Sequence, residues 1–243
     1  MEIAFSINEL LLVSLIVTIG SLLQGSIGFG LGPVAVPILV LIDPVFIPGP
    51  LLLTALVLNL LVSYREHQSI ELKSISWAIF GRVVGTVVGA MILLVVPKKD
   101  ISIVFGSMVL IAVLISISGV RLSLNRKNLF SAGTMSGIMG TTSSIGGAPM
   151  ALVYQHLKGP SIRATLSSIF TIGTILSVVS LIIISKFGYP ELKATAIIIP
   201  GTVLGFYLSN YTKSMLDKGL IRHSILIVSA VTGAIVIIKN IIN

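Results

Sequence analysis

Apolar runs, separated by charged residues or by proline and glycine, fall at 9–24, 33–42, 46–64, 74–96, 101–120, 129–145, 148–157, 161–185, 194–215 and 220–240. Crossing a bilayer as a helix takes about 20 residues, so eight of these runs are candidate spans and two, 33–42 and 148–157, are too short. The predicted fold class is an all-α polytopic membrane protein with no soluble domain. The first residues, Met1 to Asn8, carry no basic stretch, and no cleavage pattern follows the first apolar run. That run reads as a retained membrane segment.

Each short run follows a break rich in small and hydroxyl residues: 24–33 (QGSIGFGLGP) before the first and 140–149 (GTTSSIGGAP) before the second. Sliding the chain by 116 residues places Gly30 on Gly146, Pro33 on Pro149 and Pro44 on Pro160. Sliding it by 120 places Glu71, Leu72 and Lys73 on Glu191, Leu192 and Lys193, Gly81 on Gly201 and Gly85 on Gly205. The four-residue slip is about one helical turn. These matches predict a duplication, with a first membrane repeat over 1–120 and a second over 121–243, each opening with a broken or re-entrant helix.

The sense of the repeat follows from where the basic residues fall, because cytoplasmic loops carry an excess of Lys and Arg. If each break lies within one crossing, the copies are parallel and the loop charges divide almost evenly. If each break turns the chain back as a hairpin, the copies are inverted and the division is 10 to 5. The richer side then holds Arg65, Lys73, Arg121, Arg126, Lys127, Lys158, Arg163, Lys213, Lys218 and Arg222. Runs 9–24 and 33–42 joined as one helix would extend roughly 39 Å, against about 30 Å of hydrocarbon. The hairpin, and hence the inverted repeat, is the favoured arrangement.

Composition narrows the function. Of 243 residues, 55% are hydrophobic and 10% charged, where a soluble domain carries about 25% charge. The formal charge of +8 comes from basic residues in ones to threes between apolar runs, the pattern of membrane-flanking charge and not of a nucleic-acid partner. There is no cysteine, and His67, His156 and His223 lack metal-ligand spacing, so no cofactor or metal is expected. The expected setting is the cell membrane, multi-pass. A homodimer is compatible with such a chain.

The breaks are the strongest pointer to chemistry. Non-helical backbone at membrane depth persists only where protein or a hydrated cavity satisfies its polar groups, and paired breaks in two repeats point to a transporter's substrate site. Pro33 and Pro149 are expected to start half-helices, whose N-terminal ends favour an anion. Gly25, Gly28, Gly30, Gly32, Gly146 and Gly147 would let the backbone approach it, and Gln24, Ser26, Thr141, Thr142, Ser143 and Ser144 would bond its oxygens. The competing reading is that small residues simply let helices pack closely.

Arg82 lies inside the 74–96 run, where a charge costs at least about 2.5 kcal/mol and usually faces a bundle interior. It could serve as counter-ion to an oxyanion, or snorkel to an interface. Its repeat mate is Thr202, so the charge is not duplicated. Asn59 could line a cavity or bond across a helix interface. Glu66, Glu71, Asp100, Glu191 and Asp217 all sit at run ends or in loops, which argues against a buried carboxylate relay. Tyr154, Gln155 and His156 close the second half-helix, while Trp77 and Tyr64 read as interfacial aromatics.

At both breaks the chain resembles the TauE/SafE family, also called sulfite exporters. The resemblance rests on 24–37 (QGSIGFGLGPVAVP), 137–149 (GIMGTTSSIGGAP), Gly159-Pro160 and the glycine pairs 81/85 and 201/205. It covers roughly residues 8 to 240 and implies an inner-membrane transporter of small anions such as sulfite, sulfonates and related organic acids. The first break departs from the family's glycine-dense stretch, being spaced as Gly-Phe-Gly-Leu-Gly. The expected function is secondary transport, an export of a small anion by alternating access around the two broken helices. A passive anion channel and a non-transporting scaffold are the alternatives.

Overall fold

A computed structural model describes residues 6–97, 100–120, 122–157, 159–216 and 230–238. The described residues form helices joined by short turns, without strands: α1 (Ile7–Ile27), α2 (Leu31–Ile42), α3 (Gly49–Arg65), α4 (Leu72–Val95), α5 (Ile101–Ile117), α6 (Arg126–Ser143), α7 (Gly147–Val153), α8 (Pro160–Ile183) and α9 (Tyr189–Leu216). A further helical stretch covers 230–238. The rest of the 220–240 run lies outside the described residues, as do Arg121, Lys158, Lys218, Arg222 and His223. The protein is an all-α, multi-pass membrane protein.

Local sequence accounts for the ends of α1. Ser6 and Glu9 form a reciprocal capping box at its start, and Gly28, at φ 93°, closes its end in a left-handed conformation. By length and apolarity α1, α4, α8 and α9 up to Ser214 are long enough to cross a bilayer, whereas α2, α3 and α5 are shorter apolar helices. The expected span 129–145 becomes α6, which does not reach that apolarity. Gly133, Ser136, Gly137, Gly140, Thr141, Thr142 and Ser143 are buried in it, so α6 is an interior helix shaped for contact with protein.

Both breaks turn the chain back on itself. A methyl group added at Gly20 would lie 3.2 Å from the Cα of Leu31, although 11 residues along a straight helix would separate the two by about 16 Å. At the second break a methyl at Gly146 would lie 2.7 Å from the carbonyl oxygen of Ser136.

The helices pack in corresponding pairs. α1 crosses α9 as α4 crosses α6; α3 packs on α9 as α8 packs on α4; α1 meets α2 as α6 meets α7; and α3 meets α8. Matching α1 to α4 in order with α6 to α9 leaves this set of pairs unchanged. The two principal crossings are built alike. Gly81 and Gly85 of α4 abut the backbone of Phe130 and Thr134, and Gly201 and Gly205 of α9 abut that of Ser14 and Thr18.

At α7's far end, Tyr154 is fully buried and its hydroxyl donates within reach of both the carbonyl (3.1 Å) and Oγ (3.0 Å) of Ser74 on α4. Tyr154→Phe removes this buried hydrogen bond, which is worth about 0.5–1.5 kcal/mol. A lowered unfolding temperature in detergent, with helicity by circular dichroism unchanged, is the expected result.

Candidate substrate-binding site

The two breaks meet. Gly32, at the start of α2, abuts the backbone of Ser144 and Ile145, and Gly147 abuts Phe29. Between them lies a cavity of about 30 Å³, lined from the first break by Gln24, Gly30, Leu31, Gly32 and Pro33 and from the second by Ser144, Gly146 and Gly147. Leu51, Leu52, Ala55 and Asn59 of α3, Arg82 of α4, Gly140 of α6, and Phe170 and Thr174 of α8 complete the wall. The space suffices for one or two water molecules. A small anion fits such a site after slight widening, and a large ligand does not.

Arg82 dominates the electrostatics. It is 2% exposed, and its guanidinium is wedged between Gly140 of α6, Gly146 and Gly173 of α8, three positions where an added methyl would collide with it. Nη1 donates to Ser136 Oγ at 2.5 Å, and that hydroxyl donates to the Gly146 carbonyl at 2.6 Å. The guanidinium carbon sits 5.5 Å from the centre of the Phe170 ring. Nε has no hydrogen-bond partner, and the described ion pairs, Arg65 with Glu66 and Arg163 with Glu66, do not include Arg82. A buried cation without a carboxylate is costly unless an anion joins it. Snorkelling to an interface is ruled out by this placement.

Gln24 organises the first break. Its side-chain NH2 donates to Asn59 Oδ1 at 2.9 Å, and its Oε1 accepts from the Leu31 N–H at 3.2 Å. One of the first N–H groups of α2 is therefore occupied by protein. The helices begin two residues before the prolines, at Leu31 and Gly147, with Pro33 and Pro149 each third in its helix. First-turn N–H groups have no intrahelical partner, so proline is tolerated there as well as at the first position. α7 has only seven residues, so the two half-helices are unequal and Arg82 with α2 supplies most of the field.

Of the sequence-predicted residues, Gln24, Gly30, Gly32, Pro33, Asn59, Arg82, Ser144, Gly146 and Gly147 line the cavity. Gly25, Ser26, Gly28, Thr141, Thr142, Ser143 and Pro149 do not. Thr142 and Ser143 return their hydroxyls to the carbonyls of Ile138 and Met139, both at 2.8 Å, the usual i−4 bond of hydroxyl residues inside helices. Thr141 meets Ser177 at 2.8 Å, Ser26 meets Thr212 at 2.8 Å, and Pro149 is buried. Gly25 packs against Ser209, and Gly28 against Arg163. Ser144 Oγ donates to the Pro48 carbonyl at 2.9 Å.

Phe170, Thr174 and Ser136 were not anticipated, because an aromatic or hydroxyl residue in an apolar run carries no positional signal. A second departure concerns Glu66. It sits at the end of α3 as expected, yet it is 8% exposed and its carboxylate accepts from Arg163 Nε at 3.0 and 2.9 Å. Arg163, in the first turn of α8, is 2% exposed.

A bundle of membrane-crossing helices around a small cavity lined by a buried arginine fits a membrane transport protein for anions. The chain belongs to the sulfite exporter TauE/SafE family, whose profile matches residues 12–236. No match was found among curated proteins or solved structures. Membership places the chain in a family of transporters.

Proposed function

We propose that the protein is a secondary carrier that exports a small oxyanion, such as sulfite, a sulfonate or a related organic acid, by alternating access around the cavity between the two breaks. The observation that carries this reading is the buried Arg82, which among the described residues has no partner at Nε and no carboxylate beside it in the cavity lining. A guanidinium presents paired donors to a planar or tetrahedral oxyanion. The NH2 of Asn59, the hydroxyls of Ser144 and Thr174 and the start of α2 are the neutral groups around it.

The exchange-symmetric packing of α1–α4 and α6–α9 supports two membrane repeats, 1–120 and 121–243; read as inverted from the division of loop charge, they rock against one another. The cavity is flanked on one side by the apolar cluster of Leu52, Leu93, Val178 and Leu181, and on the other by the Glu66 ion pairs.

The test is a thermal-shift panel of sulfite, sulfate, sulfonates and carboxylates on purified protein, followed by flux in proteoliposomes with any ligand that stabilises it. A ligand at about 100 times its dissociation constant stabilises by about 2.7 kcal/mol. Saturable flux with counterflow is the expected outcome, and Gly30→Leu with Gly146→Leu abolishes it, since Gly30 has φ 142° and Gly146 faces Arg82 Nη1. Unitary conductance would reassign the protein as a channel, and the absence of both flux and ligand stabilisation would sink the transport reading.

A further inference from the structure

Glu66 and its two arginines stand next to the cavity without lining it. Arg163 Nη1 donates to the Ser26 carbonyl at 3.0 Å and Arg65 Nη2 to the Gly25 carbonyl at 2.5 Å. Arg65 also reaches Ser209 Oγ at 2.8 Å and Asn210 Oδ1 at 3.0 Å on α9, and packs 5.0 Å from the centre of the Phe206 ring. Gly25 and Ser26 immediately follow the cavity residue Gln24. The cluster thus ties the last turn of α1 to the end of α3, the start of α8 and α9, and it joins both proposed repeats.

Its chemistry has two further properties. Among the described residues, two guanidiniums, Arg65 and Arg163, meet on the one Glu66 carboxylate. On its outer side opens a vestibule of about 350 Å³ lined by Arg65, Glu66, His67, Gln68, Ser69, Pro160 and Lys213. On the other side of the cavity Gly49 packs on Phe187 beside the Leu52 cluster. One flank is ionic and the other apolar.

We propose that Arg65, Glu66 and Arg163 form the gate between this basic vestibule and the substrate cavity, and that an arriving anion opens it by taking the place of the Glu66 carboxylate on the arginines. The exchange swaps one buried charge pair for another, so the arginines are never left uncompensated. A cation meets Arg65 and Lys213 and gains no such replacement, which makes the gate a filter as well as a closure. The gate presupposes the anion-carrier reading, but the labelling that tests it first is measured independently of flux.

The absence of cysteine from the sequence allows one to be introduced at Ala55, a cavity position outside the gate and the polar groups. Its labelling is followed from the basic side with two thiosulfonate reagents of similar size, one bearing a sulfonate and one a trimethylammonium group. With the gate intact the anionic reagent reacts at least tenfold faster. Glu66→Gln raises the rate of both by an order of magnitude, and the charge preference persists when Arg82→Ala is added, because Arg65 and Arg163 remain. Rates indifferent to Glu66→Gln, or a preference that vanishes with Arg82 alone, overturn the gate while leaving the carrier reading standing.

Should Glu66→Gln fail to fold, a second variant decides. Ser63 and Ser168, on α3 and α8, lie 3.4 Å apart at their hydroxyls, so Ser63→Cys with Ser168→Cys can be joined by mild oxidation. Flux then falls to background and returns on reduction. Flux that survives the cross-link refutes a gate that opens between these helices.

Discussion

Arg82→Ala is expected to abolish anion transport in proteoliposomes, with a loss of at least a hundredfold in initial rate and of ligand-induced thermal stabilisation. A hydrogen bond to a charged group is worth about 1.5–3 kcal/mol, and an oxyanion in this cavity would lose two such bonds together with the one charged side chain among the described residues that line it. Arg82→Lys should recover little, because an ammonium cannot reproduce the fork that spans Ser136 and the unpartnered Nε direction. The decisive comparison is between function and fold. Removing a buried, uncompensated charge relieves a cost, so the apo variant should be as thermally stable as the parent or more so. A variant that transports normally ends the proposal for this cavity; one that loses both transport and stability indicates that Arg82 braces the Gly146 carbonyl through Ser136 and does little else.

Ser136 illustrates why part of this site was unreadable in the sequence. Arg82 was visible as a charge in an apolar run, and the breaks as clusters of glycine ending in proline, because each violates the local pattern. Their partners do not. Ser136 lies 54 residues from Arg82 and Glu66 lies 97 from Arg163, and only the tertiary fold brings them together. The hydroxyls of Thr142 and Ser143 were visible, but a helix offers its own carbonyls one turn back and composition does not say which acceptor wins. The half-helix starts were placed two residues late for a similar reason: proline is tolerated throughout the first turn, so it bounds a helix start without fixing it. The glycine pairs were read as a repeat signature and as family motif. The structure gives both pairs one physical task, the close crossing of two long helices.

That task leads to the largest expected effect on folding. Gly85 lies against the Thr134 carbonyl of α6, and Gly205 against the Thr18 carbonyl of α1. In each case even a methyl group would fall well inside contact distance of a backbone oxygen. A flexible side chain could move aside; a carbonyl held in its own helix cannot, so the helices must separate. Overpacking typically costs about 1–3 kcal/mol and occasionally more, and separation would also forfeit the close backbone packing that drives helix association in membranes, where no hydrophobic force operates between helices. Gly85→Ala and Gly205→Ala should each lower the unfolding temperature sharply, and the leucine variants should yield no monodisperse protein. Gly119, beyond α5, is the control: a methyl there meets nothing within 4 Å, so Gly119→Ala carries only the mild strain of its φ of 65°. Because the α4–α6 and α1–α9 crossings correspond, the Gly85 and Gly205 variants should be comparable in severity. A severe Gly85→Ala beside a silent Gly205→Ala would mean that the crossings bear unequal load, and the symmetric rocking proposed for transport would then need one crossing to yield while the other stays fixed.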